Sequence, residues 1–261
     1  LFGPDSACWK VHGDFTSMMV GGVAALLLQM LHPGALAGVW DHSNFRQDRL
    51  GRLRRTAQFI AGTTYGPTDH AEALIDRVRT IHEKVVGTLP DGQPYQASDP
   101  ALLTWVHVAE VSMFLAAYLK HRDPSFPPAE QDRYLAETAE VARRLGAREV
   151  PVTRAEVEAY FLSVRPQLRY DERTREVAET LLARPPGSPA VAAFSGLVFR
   201  AAEDLLPDWA AGLHGFQAGS ARIGAVRLGV DGVGSMMRWA LNNGAEVRAR
   251  RRVANLAGRG G

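Results

Sequence analysis

The sequence is short of cysteine, with Cys8 as the single thiol among 261 residues. One thiol cannot form an intramolecular disulfide, hold an iron–sulfur cluster or attach a c-type haem, which needs two thiols before a histidine. Cys8 also lacks a local signature of a catalytic nucleophile. Chemistry that depends on paired cysteines is therefore excluded.

Long apolar runs are also missing. The longest, MMVGGVAALLLQML at 18–31, has fourteen residues and contains Gln29, whereas crossing a bilayer takes roughly 18 to 20. We expect this run to be a buried core helix and the chain to have no integral membrane segment. No signal peptide is recognised, so we expect a cytoplasmic location. Because the sequence begins at Leu1 rather than at methionine, export is left open.

Neither sign of charge is in large excess, because 30 basic and 28 acidic residues give a formal net charge of +2. This balance argues against nucleic acid as the main partner, and the basic run RARRR at 248–252 is typical of a solvated helix end. The length suits one domain, 1–261, with a core large enough to enclose a cofactor or an apolar substrate. The oligomeric state is not encoded in any pattern that we find.

Strand-like alternation is absent, and helical periodicity predicts an all-α, single-domain bundle. Gly62 and Gly87 are interpreted as the stops of the second and third helices. The segment TLPDGQPYQASDP at 88–100 predicts a turn-rich surface connection, and the glycine-rich section 219–250 receives no clear assignment. Helices are predicted over 16–31, 48–61, 69–86, 100–121, 128–145, 153–164, 171–183 and 188–205.

One histidine stands on an apolar helical stripe, in RVRTIHEKVVG at 77–87. Its stripe consists of residues 71, 74, 75, 78, 81, 82, 85 and 86, so His82 should point inward. A buried neutral imidazole needs either a hydrogen-bond partner or a metal. The pattern alone leaves both possibilities open.

Two other helices carry polar groups in apolar surroundings. In RLRRTAQF at 52–59, Arg52 and Thr56 share one face, and the helix turns apolar at once, so we expect part of this charge at the lip of a pocket. His107 and Glu110, three residues apart, could pair with each other or bind a metal.

Several familiar catalytic patterns are missing. No E-x-x-H motif occurs, so a di-iron carboxylate bundle is not predicted. There is also no P-loop, no G-x-S-x-G elbow and no H-E-x-x-H motif. The sequence therefore points to no common phosphate, hydrolase or zinc-protease chemistry.

Five segments, in combination, resemble one family. They are similar to the catalytic domain shared by the bacterial latex-clearing protein, a rubber oxygenase, and the ER-bound MpaB-type oxygenase, over residues 1 to about 210. The resemblance implies a helical fold related in outline to globins around a buried, non-covalent haem b. The segments are LHPGALAGVWDHSNF at 31–45, DRLGRLRRT at 48–56, TTYG at 63–66, RVRTIHEKVVG at 77–87 and PYQASDPALLTWVH at 94–107.

The resemblance also implies an activity and a ligand. The expected enzyme is a haem-dependent oxygenase that acts with dioxygen on a small apolar molecule, such as an isoprenoid or another unsaturated compound. His82 takes the position of the proximal iron ligand, and the family's R-x-x-x-T motif falls on Arg52 and Thr56. These two residues are expected to serve haem binding or activity.

Further residues follow from the same resemblance. Arg55 takes the position of a lysine that can cap the distal iron in the rubber enzymes. A guanidinium that stays protonated is a poor iron ligand, so we expect Arg55 to pair with a haem propionate or face the pocket. Arg79 and His107 complete the expected cofactor contacts.

One departure from the family leaves the distal side open. Rubber oxygenases use a glutamate there as a base, on the helix before the R-x-x-x-T motif, and residues 21–51 contain no glutamate. His32, Asp41 and His42 are the nearby substitutes. We take His42 and Thr56 as the candidate distal groups.

Two alternatives to an oxygenase remain. The first is a haem-binding sensor, store or peroxide-handling protein, in which His32 or His42 closes the sixth iron site. The second is a cofactor-free helical interaction protein, in which His82 and His107 are hydrogen-bonded in the core.

Overall fold

The computed structural model describes residues 1–183, 188–216, 224–232, 234 and 245–257. The predicted all-α class is confirmed, since helices dominate these residues and their sheet is a two-stranded hairpin. In chain order the elements are α1 (Ala7–His12), α2 (Phe15–Gln29), α3 (Pro33–His42), α4 (Arg49–Tyr65), α5 (Thr68–His82), β1 (Val86–Thr88), β2 (Pro94–Gln96), α6 (Pro100–His121), α7 (Pro128–Leu145), α8 (Arg154–Val164), α9 (Glu172–Leu182), α10 (Pro189–Glu203), α11 (Asp208–His214), a helical segment at 224–232, and α12 (Ala245–Ala257).

Local signals explain the helices that the sequence predicts best. The carboxylate of Asp99 accepts the first free N–H groups of α6, and Pro100 occupies the first turn, where its missing N–H costs nothing. Gly146, with φ of 111°, ends α7 in the left-handed region that favours glycine. The helices predicted over 100–121 and 128–145 are confirmed at both ends. Most of the section 219–250 lies outside the described residues.

Two predicted helix ends are wrong. Gly62 does not stop α4, which runs on to Tyr65. The glycine instead leaves room for Leu74 of α5, which occupies the space that a side chain at position 62 would fill. α5 ends at His82 rather than at residue 86, since the chain there turns into β1. Both errors arise from tertiary contacts that a glycine in the sequence does not reveal.

Three short helices were not predicted. They are α1, α3 and α11, each of ten residues or fewer. α3 begins at Pro33 after a capping histidine, so the His-Pro pair interpreted as a stop for the preceding helix also starts the next one.

The hairpin between α5 and α6 is held against α3. β1 and β2 pair antiparallel with Gly87 opposite Tyr95, and a Cβ at Gly87 would lie 2.7 Å from the Tyr95 ring. The Tyr95 hydroxyl donates to the carboxylate of Asp41 at 2.6 Å. Strands of three residues are too short to show alternation in a sequence, which explains why the sequence predicts only a loop.

The core is organised around the crossing of α2 and α6, which share the most extensive contact of any two elements. At Gly21 the two backbones come so close that a Cβ would lie 2.8 Å from the carbonyl oxygen of Met113. The indole N–H of Trp105 donates to the Gln29 carbonyl at 3.1 Å, and the Gln29 amide donates to the Val106 carbonyl at 2.9 Å. The main apolar core extends from α1 to the 224–232 segment.

α6 is also the one helix among the described residues that is long and apolar enough to cross a membrane. Of its most apolar window, 67% is buried among other parts of the protein. α2 and α3 pass the same test as a pair, bent by 103° at their junction. Length and composition do not separate a core helix from a membrane span, so they are weak evidence for either.

The close approach at Gly21 predicts an asymmetry between two neighbouring glycines. Gly21→Ala should lower the free energy of unfolding by about 1–3 kcal/mol, because the added methyl meets backbone atoms of α6 that cannot move aside alone. At Gly22 the nearest atom is the Phe114 ring at 3.6 Å, so Gly22→Ala should gain up to about 1 kcal/mol of helix propensity. Urea unfolding of both variants measures this difference, and equal stabilities would contradict the backbone crossing described here.

Candidate functional site

His82 is the last residue of α5, and its ring makes no hydrogen bond with any described residue. The Nδ1 atom is buried, and burial lowers the pKa of the imidazole from its usual value, which keeps the ring neutral. The predicted inward orientation applies to His82 itself. It is wrong for Ile81 and Val86, which are 49% and 52% exposed. Val86 lies beyond the helix end, in β1, and Ile81 lies on the solvent side.

The α4–α5 hairpin relates His82 to the R-x-x-x-T motif. The helices are antiparallel neighbours, and Leu74 packs against Gly62. His82 lies eight residues beyond Leu74, and the middle of the 52–56 segment lies eight residues before Gly62. Because both helices rise by the same amount per residue, these two positions fall at one level of the hairpin. His82 and the R-x-x-x-T segment, which are 26 to 30 positions apart in the sequence, therefore lie at the same end of this helix pair.

Arg52 lines a shallow pocket that opens to solvent, has an interior volume of about 30 Å³ and is bounded by α2, α4 and α9. Its guanidinium makes no hydrogen bond or ion pair with any described residue. Burial, and then the like charge of Arg55, lower the pKa of Arg52 from its usual value. The lining residues are Leu26, Met30, Phe45, Arg49, Arg52, Leu53, Val177, Thr180 and Leu181.

Arg49, the other cation of that pocket, is already engaged. It donates to the carbonyls of Thr180 at 2.5 Å, Leu181 at 3.3 Å and Ala183 at 2.7 Å. These carbonyls end α9 and would otherwise lack partners, so the cation suits this position. Arg49 therefore serves the architecture of the pocket, whereas Arg52 is left without a counterion.

Three other residues of the predicted site are exposed. Thr56 faces solvent. Arg55 pairs with Asp48 at 3.1 Å and Arg79 pairs with Asp76 at 3.1 Å, with side chains 62% and 52% exposed for the two arginines. Such exposed pairs contribute roughly 0–1 kcal/mol to stability. Their contacts with haem propionates stay predictions, and their solvated partners do not favour that role.

The three nearby substitutes for the family's distal glutamate all take part in structural contacts. His32 accepts an N–H at the start of α3 through Nδ1 at 3.1 Å. Asp41 accepts from Tyr95, and the exposed His42 donates from Nε2 to the Val86 carbonyl at 3.1 Å. The catalytic role of His42, and closure of a sixth iron site by His32 or His42, stay predictions that these contacts do not favour.

α6 carries two half-buried polar residues, His107 and Glu110, which share one helix face with the half-buried Val106. His107 and Glu110 are not hydrogen-bonded to each other, and the Nε2 atom of His107 is buried without a partner. Burial, with a smaller contribution from Arg143, lowers the pKa of His107 to about 4. Burial raises the pKa of Glu110 to about 7. No metal-binding cluster of three His, Cys, Asp or Glu residues occurs in the described part of the chain.

An interior network around His12 was not predicted from the sequence. The His12 ring lies 2.8 Å from the Thr64 hydroxyl through Nδ1 and 3.0 Å from the Tyr134 hydroxyl through Nε2, and burial lowers its pKa to about 3. Cys8 is buried beside it, and burial raises the pKa of the thiol, which rules against a reactive thiolate. The four-residue spacing of Cys8 and His12 in an apolar stretch was the available signal for α1.

Comparison with known proteins shows the family to which the chain belongs. The sequence matches the family model described as ER-bound oxygenase mpaB/B'/Rubber oxygenase, catalytic domain, over residues 9–239. The chain belongs to this family, and membership supports an enzyme of the oxygenase class. No curated protein and no solved structure matches the chain. The relation to globins therefore stays a prediction.

Glu110 predicts a pH-dependent stability difference. Its pKa is about 7 in the folded protein and near 4.5 in the unfolded chain. Below pH 4.5 both states hold the proton. Between pH 4.5 and 7 the unfolded chain loses its proton while the folded protein keeps it, so stability falls across this window and the penalty is complete above pH 7. The Glu110→Gln variant should therefore be more stable than the parent protein at about pH 8, and this advantage should shrink towards pH 4.5.

Urea unfolding at the two pH values tests this prediction. The same change at Glu158, which is exposed on α8, controls for the loss of one negative charge. An advantage for Glu110→Gln that is independent of pH would contradict the raised pKa.

Proposed function

We propose that this protein is a haem b-dependent oxygenase that acts with dioxygen on a small apolar molecule, with His82 as the proximal iron ligand. The observation that carries the proposal is the neutral, unpartnered imidazole of His82, level with the R-x-x-x-T segment 52–56 of the same helix hairpin. Membership of the oxygenase family supplies the class of reaction.

The residues present fit a haem. Haem iron is commonly held by a histidine, and the buried Nδ1 of His82 has no protein partner that would compete for the ring. A lone cysteine excludes covalent c-type attachment, in keeping with the non-covalent haem b that the family resemblance implies. Apolar, partly buried side chains, among them Ile60 of α4 and Val106 of α6, supply surface for an apolar macrocycle.

A bound haem b would supply the binding and activation of dioxygen. The residues of this chain do the rest. Low pKa values keep His82 and His107 neutral, so neither ring adds a positive charge near the reacting molecules. Glu110 has a pKa near neutrality and can hold or release a proton under physiological conditions.

The two alternatives have less support. A haem sensor or store with a sixth protein ligand would use His32 or His42, and both rings already have structural partners. A cofactor-free interaction protein would need His82 and His107 to be hydrogen-bonded in the core, and neither ring has such a bond within the described residues.

His82 can be tested by absorption spectroscopy. Purified or hemin-reconstituted protein should show a b-type Soret band that shifts on reduction with dithionite and again on addition of carbon monoxide. His82→Ala should lose most of its haem, because the iron loses its proximal protein ligand.

The control is His70→Ala, which removes an exposed histidine from the same helix and should retain haem fully. A His82→Ala variant with full haem occupancy would sink the assignment. A six-coordinate ferrous spectrum that does not respond to carbon monoxide would favour the sensor or store instead.

A further inference from the structure

The pocket around Arg52 has a distinctive composition. Six of its lining side chains are apolar, namely Leu26, Met30, Phe45, Leu53, Val177 and Leu181. Among the described residues, none that lines it is acidic and none belongs to α5. An occupant of this pocket therefore contacts mainly hydrocarbon, on a surface that does not include the helix of His82.

The charge in the pocket is uncompensated. Arg52 is half-buried and has no hydrogen-bond or ion-pair partner among the described residues, while Arg49 is fully occupied by the end of α9. Asp48, the nearest acid in the sequence, is engaged by Arg55 and by the amide of Gly51. A cation partly withdrawn from water without a counterion is less stable than a paired one, so the pocket favours an anion that binds beside it.

We propose that this pocket binds the carboxylate of an amphipathic acid substrate, with Arg52 on the carboxylate and the hydrocarbon chain against the apolar surface beside it. A guanidinium can hold a carboxylate through two parallel hydrogen bonds, which fixes the orientation as well as the charge. That the acid is the substrate rests on the proposed oxygenase function. The binding itself does not depend on that function.

A propionate of the haem carries the same chemical group, so the source of the carboxylate has to be separated experimentally. The walls of the pocket favour the substrate, because they come from α2, α4 and α9, and the proposed iron ligand stands on α5. An acid held here would extend its hydrocarbon chain along Leu26, Met30 and Leu53 of α2 and α4.

The first arm uses haem-free protein and isothermal titration calorimetry, with decanoate and its uncharged methyl ester as probes. The parent protein should bind decanoate more tightly than the ester. Arg52→Gln should weaken decanoate binding about tenfold or more and leave the ester unchanged, since one charged hydrogen-bonding group is lost. Arg54→Gln, at an exposed position on the same helix, is the matched control and should behave as the parent protein.

Equal affinity for acid and ester, or an equal loss in Arg52→Gln and Arg54→Gln, would overturn the proposal. Circular dichroism of each variant checks that the helices are intact. A Leu53→Asn variant, which makes the wall polar but keeps Arg52, should weaken both probes, which gives a second readout if Arg52→Gln does not fold.

The second arm repeats the titration with hemin-saturated protein. Decanoate binding that persists and still depends on Arg52 supports a substrate acid. Decanoate binding that vanishes with hemin, together with loss of hemin by Arg52→Gln, would assign the carboxylate to the cofactor and overturn the proposal. Failure to bind hemin at all would refute the proposed function, and the haem-free arm would still decide whether the pocket selects an acid.

Discussion

The contact on which the rest of the structure depends is the crossing of α2 and α6 at Gly21. A residue without a side chain lets one helix lie against the backbone of the other, and Gln29 and Trp105 lock the pair with two reciprocal hydrogen bonds. With one face of α6 committed to this crossing, the face with His107 and Glu110 is left partly open. The same crossing fixes α2, whose Leu26 and Met30 form a wall of the Arg52 pocket.

The titratable groups in the interior follow one electrostatic rule. His12, His82 and His107 are held neutral by burial, and Glu110 is pushed towards its protonated form. Arg52 cannot follow this rule, because a guanidinium does not give up its proton at accessible pH. Arg52 therefore stays charged beside apolar side chains, and among the described residues it has no anion to pair with. An anion from outside the protein can fill that role.

The sequence predicts much of the fold because many helix ends carry local signals. Asp99-Pro100 and Gly146 act through bonds within a few residues, and the start of α6 and the end of α7 are predicted correctly from them. Gly62 misleads, since its role is to admit Leu74 from another helix. The candidate site residues also differ in how far the sequence predicts them. His82 is identified by periodicity and by resemblance, whereas the Arg52 pocket depends on α9, which the sequence does not connect with α4.

The hydrogen bonds from Arg49 to the end of α9 join residues 131 to 134 positions apart. The level pairing of His82 with the R-x-x-x-T segment instead belongs to a single helix hairpin. Contacts between distant parts of a chain carry a larger loop-closure entropy than contacts within a hairpin. The hairpin that carries His82 and the R-x-x-x-T segment can therefore form locally, whereas the pocket around Arg52 forms only when α9 is packed beside α2 and α4.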